Sequence, residues 1–190
     1  MKKLLAIVIL SLCFISSVQA DDIRDFKIEG MSIGDSLLDY FSEEQILDNK
    51  KNWFNHNEYT ITESTDKTYK SYDAVQIVYK TNDRKKKIAA VDGLKIYADI
   101  NLCYEELDNI VQEIKAVVKN LKDLGKQTYK HRADKSGKST VTDYVFESKY
   151  SDEVQVACYD YSESYGAKDH FRVGVRTIDY RKFLRDKAYK

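Results

Sequence analysis

The sequence predicts an α+β fold, an antiparallel sheet packed against helices, and three observations predict it. Apolar residues recur at spacings of three and four between Leu102 and Leu124, the pattern of an amphipathic helix. Seven other stretches alternate apolar and polar residues, the period of strands. Two cysteines, Cys103 and Cys158, fall on the apolar side of one element of each kind.

The first twenty residues precede this pattern and differ from it. Lys2 and Lys3, an apolar run from Leu4 to Ile15 and the ending Val18-Gln19-Ala20 predict a secretory signal peptide over 1–20. That run is too short for a transmembrane anchor. Leu12 precedes Cys13 where a lipoprotein signal needs a small residue, so the mature chain is expected without a lipid. Residues 21–190 then form one exported α+β domain, periplasmic or secreted. Removing Lys2 and Lys3 changes 31 basic against 31 acidic residues to 29 against 31. So neutral a chain has no global field to steer it to nucleic acid.

Ser32, with Asp35 three residues on and Leu37, Leu38 and Phe41 at helical spacing, predicts a first short helix; Gly30 and Gly34 serve the turn into it. Ser42 and Gln45 form a capping-box pattern for a second. Three strands follow, with Tyr59 and Ile61, then Val75, Ile77 and Tyr79, then Ile88, Ala90, Leu94 and Ile96 each sharing a face. The last is expected to bulge at Asp92 and Gly93, or else to turn back there as a tight hairpin. The long helix carries Leu107, Ile110, Val111, Ile114, Val117, Val118 and Leu121, has acids in its first turns, Lys119 and Lys122 near its end, and Gly125 as terminator. Four more strands, KQTYKHR, TVTDYVFESKY, EVQVACYDY and FRVGVRTIDY, precede a short basic helix from Asp179 to about Lys187. The order reads as two degenerate helix-then-strands units.

With Cys13 removed, an even pair remains in an exported chain, which favours a disulfide over a metal site or a nucleophile. Cys103 lies four residues before Leu107, and Cys158 alternates with Val154 and Val156, so both thiols are expected in one core.

Candidate chemistry is sparse. SGKST, Ser136 to Thr140, lacks the upstream glycine of a phosphate-binding loop, since Arg132 stands there, and reads as a hairpin turn. His56, His131 and His170 are scattered. Asp160, Glu163, Asp169 and His170 share one loop region but show no metal-ligand spacing, so no cofactor or metal is expected. The basic tips DRKKK and YKHRADKSGK read as solvated turns that could touch an anionic surface. The most suggestive feature is the sheet face opposite the disulfide. There Tyr159 and Tyr161 should point away from Cys158, and Arg172 and Arg176 away from Phe171, Val173 and Val175. Tyrosine and arginine on a half-exposed sheet suit a binding surface.

The stretch IEGMSIGDSLLDYFSEEQI, Ile28 to Ile46, is similar to the opening of a set of uncharacterised small exported proteins of marine bacteria; the cysteine-bearing helix and the strands YDAVQIVYK and DYVFESKY fit the same plan. At the level of fold, GMSIGDSLLDYF, a second short helix and three strands resemble the helix-helix-sheet unit of the β-lactamase inhibitory protein and of the small lipoprotein of the outer-membrane barrel-assembly machinery. Those are protein-binding modules, so the resemblance implies binding as the role. The expectation is therefore a non-enzymatic binding or interaction module of the envelope, with a protein or polymer partner. The alternative is a small exported hydrolase whose site is assembled from dispersed residues.

Overall fold

The computed structural model describes residues 23–118 and 120–190, so the expected signal peptide lies outside the described residues. Eight antiparallel strands form one sheet in the order β1-β2-β3-β4-β8-β7-β6-β5. They are β1 (Lys50–Lys51), β2 (Tyr59–Ser64), β3 (Ala74–Lys80), β4 (Ile88–Ile96), β5 (Lys122–Lys130), β6 (Thr140–Glu147), β7 (Glu153–Asp160) and β8 (His170–Arg176). Two four-stranded meanders thus meet through their last strands. Helix α1 (Glu43–Asp48) precedes one, α2 (Ile100–Val117) precedes the other, and α3 (Ile178–Asp186) follows. Among the described residues no helix is long and apolar enough to cross a membrane.

The two sheet faces differ in chemistry because the strands alternate. One face carries Val75, Ile77, Val91, Val154, Val156, Phe171, Val173 and Val175 and is covered by α2 and the N-terminal segment. Helix α2 starts where the Asp99 carboxylate accepts the Asn101 N–H at 2.9 Å, and it buries Cys103, Leu107, Val111 and Ile114 along one stripe. Burial of Leu107, Val111 and Ile114 contributes about 1.5–3 kcal/mol each. Cys103 and Cys158 are joined, with Cα atoms 5.9 Å apart, and tie α2 to β7.

The structure departs from the sequence reading in several places. Ser32 caps no helix: its hydroxyl donates to the carbonyls of Arg24 and Phe26, and only one turn of 3-10 helix forms, at Leu37–Asp39. Gly30 and Gly34 take φ of 86° and 91°, and the Gly34 and Leu37 N–H groups donate to Ile88 and Lys86, so the β3–β4 hairpin takes the donors that a helix would need. The capping box at Ser42 and Gln45 does form, and starts α1.

Strand β4 runs straight through Asp92 and Gly93, with neither bulge nor turn there; the register slips instead opposite Val78 and Tyr79, at Ala89. Gly93 answers a packing demand, because a Cβ there would lie 2.6 Å from the Tyr72 ring. Helix α2 also ends earlier than its periodicity. Val118 is already extended and β5 begins at Lys122. Val118 and Leu121 keep the apolar spacing because they pack against the same core after the helix has stopped. Gly125, expected to end the helix, sits at φ +83° where the β5 register shifts.

Candidate binding crevices on the sheet face opposite the disulfide

The second face begins with a smaller apolar patch, in which Tyr180 and Phe183 of α3 lie on Tyr59, Ile61, Val78 and Ala90. Beyond that patch the face turns polar. Six charged side chains form an alternating chain across it: Arg172, Asp92, Arg176, Glu153, Arg181 and Glu147. Arg172 lies 3.9 Å from Asp92, Arg176 lies 3.0 Å from Asp92 and 3.8 Å from Glu153, and Arg181 lies 2.6 Å from Glu153 and 2.9 Å from Glu147. Burial alone would lower the affinity of the Arg176 guanidinium for its proton, but the Asp92 and Glu153 carboxylates more than offset it and hold the group charged. Burial pushes the Glu153 carboxyl up, against the pull of Arg176 and Arg181.

Gly174 makes the centre of this chain geometrically possible. It stands between Arg172 and Arg176 on the same face of β8 and opposite Asp92 on β4. A Cβ at Gly174 would collide with the Asp92 carboxylate and sit 2.5 Å from the Val91 carbonyl oxygen. On its other side Gly174 pairs with Gln155, whose amide donates to Asp143 at 2.5 Å, and Asp143 also accepts the Tyr129 hydroxyl at 2.8 Å. Arg172 Nε, Arg176 Nε, Asp143 Oδ1 and Gln155 Oε1 are buried and have no hydrogen-bond partner among the described residues. Each such group costs free energy.

The roof comes from two segments that meet across the face. In the β5–β6 hairpin, the Asp134 carboxylate accepts the Ser139 hydroxyl at 2.6 Å and the N–H groups of Ser136 and Ser139, and these donors hold it well below the usual carboxylate range. Arg132 of that hairpin donates to the Leu184 carbonyl at 3.4 Å, at the end of α3. Two open crevices result, of about 800 Å³ and 720 Å³, both lined by His131, Ala133, Tyr159, Arg176, Leu184 and Tyr189. The first is basic, lined by six lysines and arginines against three carboxylates. The second is balanced, three against three, and rich in aromatic rings.

The four residues expected to form a surface are all on this face, but they are recessed rather than half-exposed. Tyr159 is 9% and Arg176 6% exposed, while Arg172 and Tyr161 are partly buried. The reason is stacking. Tyr159 packs on the His170 ring, at 4.7 Å and 10°, and on the Arg172 guanidinium, at 4.7 Å; Tyr161 stacks on Tyr165 at 5.1 Å and 7°. The His131 ring packs edge-on against Tyr159, Tyr161 and Tyr165. Sequence reasoning missed Asp92, Asp143, Glu153, Gln155, Trp53 and Tyr165. Arg172 and Arg176 flanking a glycine at period two, on an otherwise apolar strand, was the available signal for carboxylates across from them.

Asp169 and His170 hold no cation geometry. Asp169 accepts the Tyr161 N–H at 2.7 Å, His170 stacks on Tyr159, and among the described residues no group of His, Cys, Asp and Glu is arranged to hold a metal. Ser139 and Asp134 make a buried turn contact that ties the hairpin together; His131 joins that turn through its backbone, and its Nδ1 has no hydrogen-bond partner among the described residues.

His170 also gives the face a pH dependence. Its Nδ1 lies 3.1 Å from the Lys168 carbonyl and its Nε2 3.4 Å from Arg172, the arrangement of a neutral ring with its proton on Nδ1. Burial, and then Arg172, push its pKa down to about 3 from 6.5. Between those values the unfolded chain binds a proton that the folded one refuses, so stability falls as pH drops below 6.5. The loss is about 2 kcal/mol by pH 5. Urea unfolding at pH 7 and pH 5 should show this loss for the native chain and a smaller one for His170→Phe, which keeps the stack; equal losses would remove His170 as the cause.

No family model, curated protein or solved structure matches the chain, so the geometry of this face is what the functional reading stands on.

Proposed function

We propose that the protein is a non-enzymatic binding module of the cell envelope that takes an elongated ligand along the sheet face between the β5–β6 hairpin and α3. One observation carries this reading. Two adjoining crevices of ligand size share six lining residues, Arg176 and the aromatic His131, Tyr159 and Tyr189 among them, over a floor of ion-paired side chains. A disulfide-linked, near-neutral chain behind an expected signal peptide fits an oxidising compartment. The recessed tyrosines and arginines suit a segment laid into a channel better than a flat partner docked on a surface.

A photo-reactive residue placed at Trp53 or Tyr165 on the crevice rim, in cells that export the protein, should form adducts. The same residue at Leu102, exposed on α2 behind the other face, should not. Equal labelling at Leu102 would overturn the reading.

A further inference from the structure

We propose that the ligand of these crevices is an acidic glycan, with sugar rings in the aromatic crevice and acidic substituents in the basic one. The inference rests on the sheet-face reading above and gives it a ligand class. A pyranose has a C–H face that stacks on aromatic rings and a rim of hydroxyls that both donate and accept. The aromatic crevice supplies both kinds of partner. Trp53, Tyr165 and Tyr189 line it and are 47%, 38% and 41% exposed, so ring surface remains open beyond the internal stacks. Gln76, Asp92 and Arg172 supply planar polar groups on the floor.

The basic crevice adds sign. Lys130, Arg132 and Lys182 are exposed on its walls and make no ion pair among the described residues, whereas the floor charges are matched within the chain. Three cations are therefore left to meet an anion. Because six lining residues are common to both crevices, one ligand can run through both.

Other polymers fit less well. A nucleic acid carries a phosphate at every residue, yet the aromatic crevice is balanced in charge and offers no field along its length. A peptide that adds as a strand could pair only with the free edge of β5, at the margin of the basic crevice, whereas the floor strands β4, β8 and β7 are paired on both sides. A lipid tail would lie against the buried charges of Asp92, Arg172 and Arg176.

Trp53 is the chain's one tryptophan, so its emission reads occupancy directly. Titration with short oligogalacturonate and with a sulfated oligosaccharide should shift that emission, with an affinity that falls as salt rises. A neutral oligosaccharide of equal length should bind about tenfold more weakly, and the Lys130→Gln, Lys182→Gln variant should lose about the same factor for the acidic probes only. Tyr165→Ala should weaken acidic and neutral probes alike, and Leu102→Ala should change neither. No response to either acidic probe, while crosslinking in cells still marks Trp53 and Tyr165, would overturn the glycan and leave the binding face standing. Loss of both signals would overturn both. Inorganic phosphate or a single-stranded oligonucleotide binding as well as the acidic glycans would reduce the site to a general anion site and also overturn the inference.

Discussion

Gly174→Ala is expected to destabilise the protein by about 3–5 kcal/mol, the range for breaking a buried ion pair. The added methyl group would enter the space held by the Asp92 carboxylate and press on the Val91 carbonyl, a backbone atom that cannot rotate away. Asp92 would have to leave Arg176, and Arg176 is 6% exposed, so its charge could not turn to water. Urea unfolding of the variant measures the cost. A loss under about 1 kcal/mol would mean that Asp92 does not occupy that position. Combining the change with Asp92→Ala should cost less than the sum of the two, because the clash and the lost pair share one carboxylate.

Removing the disulfide ranks second. The Cys103–Cys158 bridge spans 55 residues of chain. By the chain-entropy account such a loop is worth about 4 kcal/mol. The Cys103→Ala, Cys158→Ala variant should lose about that much in chemical unfolding, and its α2 amides should exchange faster, since the bridge is what joins α2 covalently to β7. Both cysteines are fully buried in the native chain, so the bridge is tested by alkylation after unfolding without reductant, which should label neither cysteine. Two labelled thiols would refute the bridge, and an unchanged midpoint would show that packing alone holds α2 to the sheet.

These two results bear on different layers of the fold, and the layers were unequally legible. Strand alternation put Val75, Ile77 and Tyr79 on one face, and Tyr159 and Arg176 on the face away from Cys158, because a period of two admits only two faces; Ile88, expected on the face of Ala90, crosses to the α2 side through the slip at Ala89. The cysteine pairing followed from the even count left after the expected signal peptide, and the same geometry put both thiols in one core. What periodicity could not show was where hydrogen bonding overrides it. Residues 32–41 have helical spacing, yet the amides of Gly34 and Leu37 are drawn to the β3–β4 hairpin. Val118 and Leu121 keep a helical spacing after α2 has ended, because they cover the same core from a loop.

The site was half legible for a related reason. Tyr159, Tyr161, Arg172 and Arg176 could be assigned to one face, but their burial depends on partners distant in sequence: Asp92 on β4, Glu153 on β7, His131 in the β5–β6 hairpin and Tyr189 at the end of the chain. Only the fold brings these together. That burial also changes how the face must be probed. Truncating Arg176 would leave Asp92 and Glu153 short of a buried counter-charge and report on stability, whereas Trp53, Tyr165 and Lys182 are exposed at the rim and would report on the proposed ligand.

The central claim is that ligand is held on the face away from the disulfide, between the β5–β6 hairpin and α3. Site-resolved photo-crosslinking in the exporting cell tests it most directly, with Trp53 and Tyr165 on that face set against Leu102 and Val117 on α2. The account predicts adducts at the first pair and background at the second; adducts at the α2 positions, or at all four alike, would contradict it.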